Sequence, residues 1–352
     1  MATISESPAS SIEAPLARLL AFEPTRLPVL SVYLDTRADQ HGRTPDAGPH
    51  LQREFKALAE TWPASAPERQ SFDADAARIL AYVAHDIAPA CNGVAIFACS
   101  SAGLFETVQV TAPLENSRVH VCGQPHLYQL VRLDERFPKY AAVLADANSA
   151  RIFTFALGQA IAEDNVSGQK VHRVKVGGWS QARYQRRASN AHEDHAREIV
   201  ERLRTIVRDD AVNHIVIAGD SVIVPLIESY LPQELAALVD TAKLDIHASS
   251  SEVLAATLAV LQEREAATEV EKATRLLEQS RARGLAVTGL EATRSALANG
   301  QVDELLIARS VENAPELFVT AAKQTDAAVT FIEDPGLLQS VEGIGAFLRW
   351  RA

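Results

Sequence analysis

Apolar residues recur along this chain in three successive stretches, each mixing the two-residue period of strands with the 3.6-residue period of helices. In the first stretch, "PVLSVYLDTR" (Pro28–Arg37) runs β-branched and aromatic residues into a polar end, as a strand does. Helical spacing follows in "LQREFKALAETW" and "FDADAARILAYVAHDI". Three strand patterns, "GVAIFACS", "LFETVQV" and "SRVHVCG", bring this α/β unit to a close near Arg136. Residues before about 12 are rich in Ser, Ala and Glu and predict no element.

The second stretch opens with "YAAVLADANSARIFTFALG", a strand, an Asn-Ser turn and a strand, which predicts a hairpin from about Ala141 to Leu157. In "SNAHEDHAREIVERLRTIV" the residues Ala196, Ile199, Val200, Leu203, Ile206 and Val207 mark one face of a helix. Asn190 and Glu193 have capping spacing, and Glu193–Arg197 and Glu198–Arg202 are spaced as i,i+4 pairs. "HIVIAGD" is a short buried strand, followed by a helix and "LVDTAKLDI".

The third stretch begins where Ser249–Ser251 cap a helix expected over Glu252 to about Arg283, closed by Gly284. Strand and helix patterns then alternate through "EATRSALANG", "VDELLIA", "APELFVTAAKQTD", "AAVTFIED" and "VEGIGAFLRWR", an α/β sandwich. A chain of 352 residues exceeds what one core usually spans. The expected division is therefore 1–136, 137–250 and 251–352.

Charge adds one local anomaly. The net charge of −11 argues against general nucleic-acid binding, because phosphate contacts need cations. Yet Asn165 to His192 contains no Asp or Glu while holding Lys170, Arg173, Lys175, Arg183, Arg186 and Arg187. At its centre lies "KVGGWSQARYQRR", Lys175 to Arg187, expected as a loop. Gly177 and Gly178 would let backbone approach a crowded target, and the cations could hold phosphates. Trp179 and Tyr184 could stack on bases, and the Gln181 amide could orient a water or stabilise an oxyanion. The competing reading is a surface hairpin tip with incidental charge.

Other features bound the function. Three cysteines without a Cys-x-x-Cys pattern read as buried reduced thiols. The start lacks a basic region followed by an apolar core, and no apolar run could span a bilayer. The expectation is a cytoplasmic protein with no membrane partner. His192 and His195 read as a solvated helix start rather than metal ligands. Asp146, Asp220 and Asp240 follow strands, where turn and cap roles are the default over a nuclease-like Mg²⁺ site. No P-loop, dinucleotide fingerprint or Gly-x-Ser-x-Gly elbow is present, and no cofactor or metal is implied.

"GGWSQARYQRR" resembles the Gly-Gly-Gln loop of archaeal and eukaryotic peptide release factors, in which Ser and a basic, aromatic helix start follow the tripeptide. "YAAVLADANSARIFTF" and "HIVIAGD" resemble strands of their middle domain, and "ALANGQVDELLIA", "FVTAAKQTDAAVTFIED" and "EGIGAFLRW" resemble the last domain of release factors and Pelota. "LSVYLDTR" and "GVAIFACS" look like the N-terminal domain of the bacterial branch of this superfamily. The resemblance implies three α/β domains, the middle one RNase H-like with a protruding Gly-Gly loop, the last an α/β/α sandwich.

An ungapped match sets Gly177 and Gly178 on the paired glycines, Ser180 on the family Ser, and Arg183, Tyr184 and Arg186 on its basic and aromatic positions. Trp179 then stands where the family has Gln, and Gln181 lies two residues later. The resemblance assigns the catalytic amide to Gln181 beside Gly177 and Gly178. It assigns RNA contacts to Lys175, Trp179, Ser180, Arg183, Tyr184, Arg186 and Arg187. Stop-codon-reading motifs are not found in residues 1–136. The implied function is stop-codon-independent hydrolysis of peptidyl-tRNA on stalled ribosomes or large subunits, with a translational GTPase as a further partner. Cleavage within the tRNA 3′ end, as in Vms1-like ribosome-rescue proteins, and a non-enzymatic dormancy or stress role on the ribosome are the alternatives.

Overall fold

The computed structural model describes residues 11–38, 46–167, 179–311 and 315–351. Among the described residues three sheets carry the fold, and the chain divides into two units, 1–136 with 265–352, and 137–264.

The N-terminal part runs α1 (Glu13–Leu20), β1 (Val29–Asp35), α2 (Gly48–Ala59), α3 (Pro67–His85), β2 (Gly93–Cys99), β3 (Leu104–Val110), β4 (Arg118–Cys122) and α4 (Tyr128–Arg136). Its antiparallel sheet has the order β3-β2-β1-β4. Alternate residues Leu30, Val32, Leu34, Val94, Ile96 and Ala98 pack against Leu51, Phe55, Phe72 and Ile79 of α2 and α3. On the other face the buried Tyr33 hydroxyl donates to the His126 carbonyl at 2.5 Å, tying the strand to the segment before α4.

The second unit contains β5 (Tyr140–Ala145), β6 (Ser149–Ala156), β7 (Gln159–Ser167), α5 (Trp179–Asp210), β8 (His214–Gly219), α6 (Ile223–Tyr230), α7 (Gln233–Ala236) and β9 (Val239–Ala242). The sheet order is β7-β6-β5-β8-β9, antiparallel through β6 and parallel from β5 to β9. That 3-2-1-4-5 order is the RNase H-like arrangement. Both faces of β5 are buried. Ala141, Val143 and Ala145 pack with Ala196, Ile199, Val200 and Leu203 of α5. Tyr140, Ala142 and Leu144 face Val253 and Leu261 of α8 (Ser250–Arg281).

At the start of α8 the expected cap forms: Ser249 Oγ accepts from the Glu252 amide at 3.3 Å, and the Glu252 carboxylate accepts from the Ser249 amide at 2.8 Å. Its end differs from the sequence reading. Arg283, not glycine, takes the left-handed conformation with φ 57°, and the Gly284 amide closes onto Gln279 at 2.8 Å. The exposed carbonyls of Arg283 and Gly284 accept from the Arg351 guanidinium.

Beyond α8 come β10 (Ala286–Thr288), α9 (Leu290–Ala298), β11 (Val302–Ala308), α10 (Pro315–Gln324), β12 (Ala328–Ile332) and β13 (Ile344–Leu348). The sheet order is β10-β13-β11-β12, with β11 and β12 parallel. Leu306, Ala308 and Phe347 cluster with Ala273 and Leu276 of α8, while α9 and α10 also pack on this sheet. Gly345 sits under α8, where a Cβ would fall 2.6 Å from Leu276 Cδ2.

Candidate functional site

The candidate site stands at the start of α5. The acid-free sequence predicted a loop to Arg187 and a helix opened by Asn190. The helix instead begins at Trp179 and runs 32 residues, so Asn190 lies in its interior. The reason is local. From Trp179 to Ser189 neither Gly nor Pro interrupts the chain, and Gln, Ala and Arg are good helix formers. Gly178 is the last residue able to break the pattern.

Trp179, Ser180 and Gln181 therefore occupy the first helical turn, and Arg183, Tyr184, Arg186 and Arg187 the turns after it. Positions 183, 186 and 187 lie three and four residues apart and share one side of the helix. Arg186 and Arg187 are exposed. Lys175, Gly177 and Gly178 lie outside the described residues.

Among the described side chains, the core anchors α5 from His195 and Ala196 onward, through Ile199, Val200, Leu203 and Ile206. At 1.5 Å per residue, positions 179–194 extend roughly 24 Å ahead of that anchor. Residues 186–194 are exposed or half-buried. The first turn contains no acid, whereas a carboxylate there would favour the helix dipole. A helix start also leaves its first four N–H groups without intrahelical acceptors. N–H groups without intrahelical acceptors, a positive dipole end and cations in the next turns together suit an anion.

Several sequence expectations are revised nearby. His195 is not solvated but 2% exposed, on the core face beside Ala196, and neither ring nitrogen has a hydrogen-bond partner among the described residues. Arg197 pairs with Glu193 at 3.5 Å as expected, but Arg202 reaches Asp164 of β7 at 2.7 Å rather than Glu198. The strand offers a carboxylate that helical spacing could not foresee. Cys91 and Cys99 are buried and free, whereas Cys122 is exposed because β4 is the edge strand of its sheet.

The strand-end carboxylates have structural partners. Asp146 Oδ1 accepts from the amides of Asn148 and Ser149, both at 2.7 Å. Asp220 accepts from the amides of Val222 and Ile223 with one oxygen and of Ala147 with the other. Asp240 pairs with Arg264 at 2.6 Å. Among the described residues no cluster of three His, Cys, Asp or Glu has metal-binding geometry, and no helix is long and apolar enough to cross a membrane.

Residues 125–262, which include β5 through β9, the Gly177–Gly178 pair and all of α5, match the model of bacterial archaeo-eukaryotic release factor family 10. This segment belongs to the bacterial branch of the archaeo-eukaryotic release-factor superfamily. No curated protein matches the chain. Among solved structures, the archaeal translation termination factor aRF1 is similar at 16% identity over 96% of this chain and 97% of its own, with a TM-score of 0.28. Archaeoglobus fulgidus Pelota is similar at 15% identity over 74% and 79%, with a TM-score of 0.35. S. cerevisiae Dom34, a translation termination-like factor, is similar at 12% over 74% and 79%, with a TM-score of 0.45. Within this segment, Trp179, Ser180 and Gln181 form the first turn of α5.

Proposed function

We propose that this protein acts on the ribosome as a stop-codon-independent release or rescue factor that hydrolyses peptidyl-tRNA. The observation that carries the reading is the placement of Gln181 in the first turn of α5, three residues after Gly178, within the release-factor segment. In this reading α5 is the arm that delivers the Gly177–Gly178 backbone to the tRNA terminal adenosine. Lys175, Arg183, Arg186 and Arg187 hold RNA phosphates, and Trp179 and Tyr184 stack on bases. Ser180 contacts RNA from the first turn.

The chemistry asked of the site is modest. The Gln181 amide orients a water whose oxygen attacks the ester carbonyl carbon. Charge developing on the carbonyl oxygen is stabilised by N–H donors in place before the reaction. The bond to the ribose oxygen breaks, the ribose oxygen takes up a proton from the water, and the peptide leaves as an acid. An amide cannot itself be a strong base, so positioning and oxyanion stabilisation carry the rate. The large subunit and peptidyl-tRNA are the partners, with a translational GTPase assisting. Residues 1–136, 137–250 and 251–352 act as three domains, the last docking a partner.

Trp179, which opens the helix at the family's Gln position, favours a second reading in which the arm only occupies the peptidyl transferase centre. Product analysis on stalled peptidyl-tRNA–ribosome complexes separates the readings. Free peptide with intact tRNA is expected. Peptide carrying a few nucleotides would indicate cleavage in the tRNA 3′ end, and binding without product would indicate blocking. Absence of binding to ribosomes or tRNA would overturn the proposal.

A further inference from the structure

A second site lies in the other unit, far in sequence from α5. Residues between Pro113 and Arg136, with Arg309, Val311, Pro315 and Glu316, line a cleft of about 570 Å³. Small-molecule sites fall in the range of about 300–1,000 Å³. Inorganic phosphate alone would leave most of this volume empty, whereas a mononucleotide would occupy it.

The cleft is cationic on an acidic protein. Arg118, Arg132, Arg136 and Arg309 line it against two carboxylates, Glu115 and Glu316. Glu115 is already shared by three of those guanidiniums: Arg132 at 3.2 Å, Arg136 at 2.8 Å and Arg309 at 3.2 Å. Glu333 takes Arg132 at 2.6 Å and Arg309 at 3.5 Å. Arg118 is exposed and makes no ion pair among the described residues. Two carboxylates, Glu115 and Glu333, shared by three guanidiniums leave donor capacity over, since each guanidinium carries five N–H groups.

One wall is uncharged and aromatic. His120 and His126 stack at 3.6 Å between ring centroids, 7° from parallel. Burial holds both well below the usual imidazole value, at about 4, so the pair is neutral at pH 7. His126 is 8% exposed, and its Nδ1, like His120 Nε2, has no hydrogen-bond partner among the described residues. Glu316 stands 3.8 Å from His126 Nε2. Buried polar atoms are rarely left unpaired without a reason.

We propose that this cleft binds a small phosphorylated ligand of mononucleotide size, its phosphate held by Arg118 and Arg309 and its remainder lying along the imidazole wall. A phosphate dianion matches the surplus of planar donors better than a lone carboxylate does. Because Arg118 and Arg309 come from opposite ends of the chain, such a ligand would also brace the N-terminal part of the unit against the C-terminal part.

The test is calorimetric titration of the full chain with AMP, GMP, pyrophosphate, citrate and a 5′-phosphorylated RNA trinucleotide. At least one mononucleotide should bind with micromolar affinity and raise the melting temperature. Arg118→Gln and Arg309→Ala should each weaken that binding tenfold or more, while Arg208→Ala in the other unit should not. Circular dichroism identifies any variant that fails to fold, and Arg118→Gln, altering an exposed unpaired side chain, should retain the native spectrum. The proposal is overturned if neither mononucleotide binds at millimolar concentration. It is equally overturned if citrate binds as tightly, if only the trinucleotide binds, or if folded Arg118→Gln and Arg309→Ala keep wild-type affinity.

Discussion

Individual residues show where stability has been set aside. The first turn of α5 contains Trp, Ser, Gln and Ala but no acid. Ala182→Glu should therefore stabilise the helix start by about 0.3–1 kcal/mol. The same substitution should weaken binding to stalled ribosomes severalfold, because the new charge faces RNA phosphate. Urea unfolding and ribosome pelleting measure the two effects, and a gain in both would contradict the assignment. Gly219 tests the frame instead. A Cβ there would lie 2.0 Å from the Ala145 carbonyl oxygen, so Gly219→Ala must force β5 and β8 apart at their ends. A loss of about 3 kcal/mol or more in urea unfolding is expected, a size reserved for clashes and core damage.

Among the elements, α5 separates function from packing. Leu203 is fully buried, and Leu203→Ala should cost about 2–5 kcal/mol. Ser189 is exposed in the part of α5 ahead of the anchor, so Ser189→Pro should break the arm while leaving the melting temperature within a few degrees. Peptide release should vanish in that variant, and retained release would show that the arm need not be continuous. The same helix shows what sequence pattern can and cannot convey. Its apolar face from Ala196 to Val207 was legible because packing imposes a 3.6-residue period. Its first eleven residues were not, because they show no apolar period and carry only propensity. β7 was missed for a related reason: "QAIAEDNVS" is an exposed edge strand with almost no apolar alternation. α1 and α4 are short and were also missed. The Gly-Gly and Gln residues were legible as a local motif. The arginine cleft was not, since its walls are nearly two hundred residues apart and no window contains both.

At the scale of the whole molecule, burial of titrating groups makes stability depend on pH in two directions. Glu135 of α4 is buried and accepts from the Phe331 amide at 3.0 Å, with Glu265, Glu269 and Lys272 of α8 around it. Burial raises its carboxyl to about 8, and burial followed by Glu269 raises Glu265 to about 7. The folded chain then keeps protons that the unfolded chain has released, so stability falls as pH rises from about 4.5 to 8. His120 and His126 act oppositely: the unfolded chain takes up protons first, and stability falls as pH drops from about 6.5 to 4. Above pH 7 the carboxyl effect outweighs the opposing histidine effect. Wild type should lose about 1 kcal/mol between pH 7 and 8, and Glu135→Gln should remove much of that loss in denaturant melts. The opposite slope would contradict the buried neutral carboxyl. The central claim, that an amide at the start of α5 does the work of a release factor, is tested most directly by single-turnover peptide release from stalled ribosomes with wild type and Gln181→Ala. A roughly hundredfold slower release with unchanged ribosome binding is predicted; equal rates for the two proteins would contradict it.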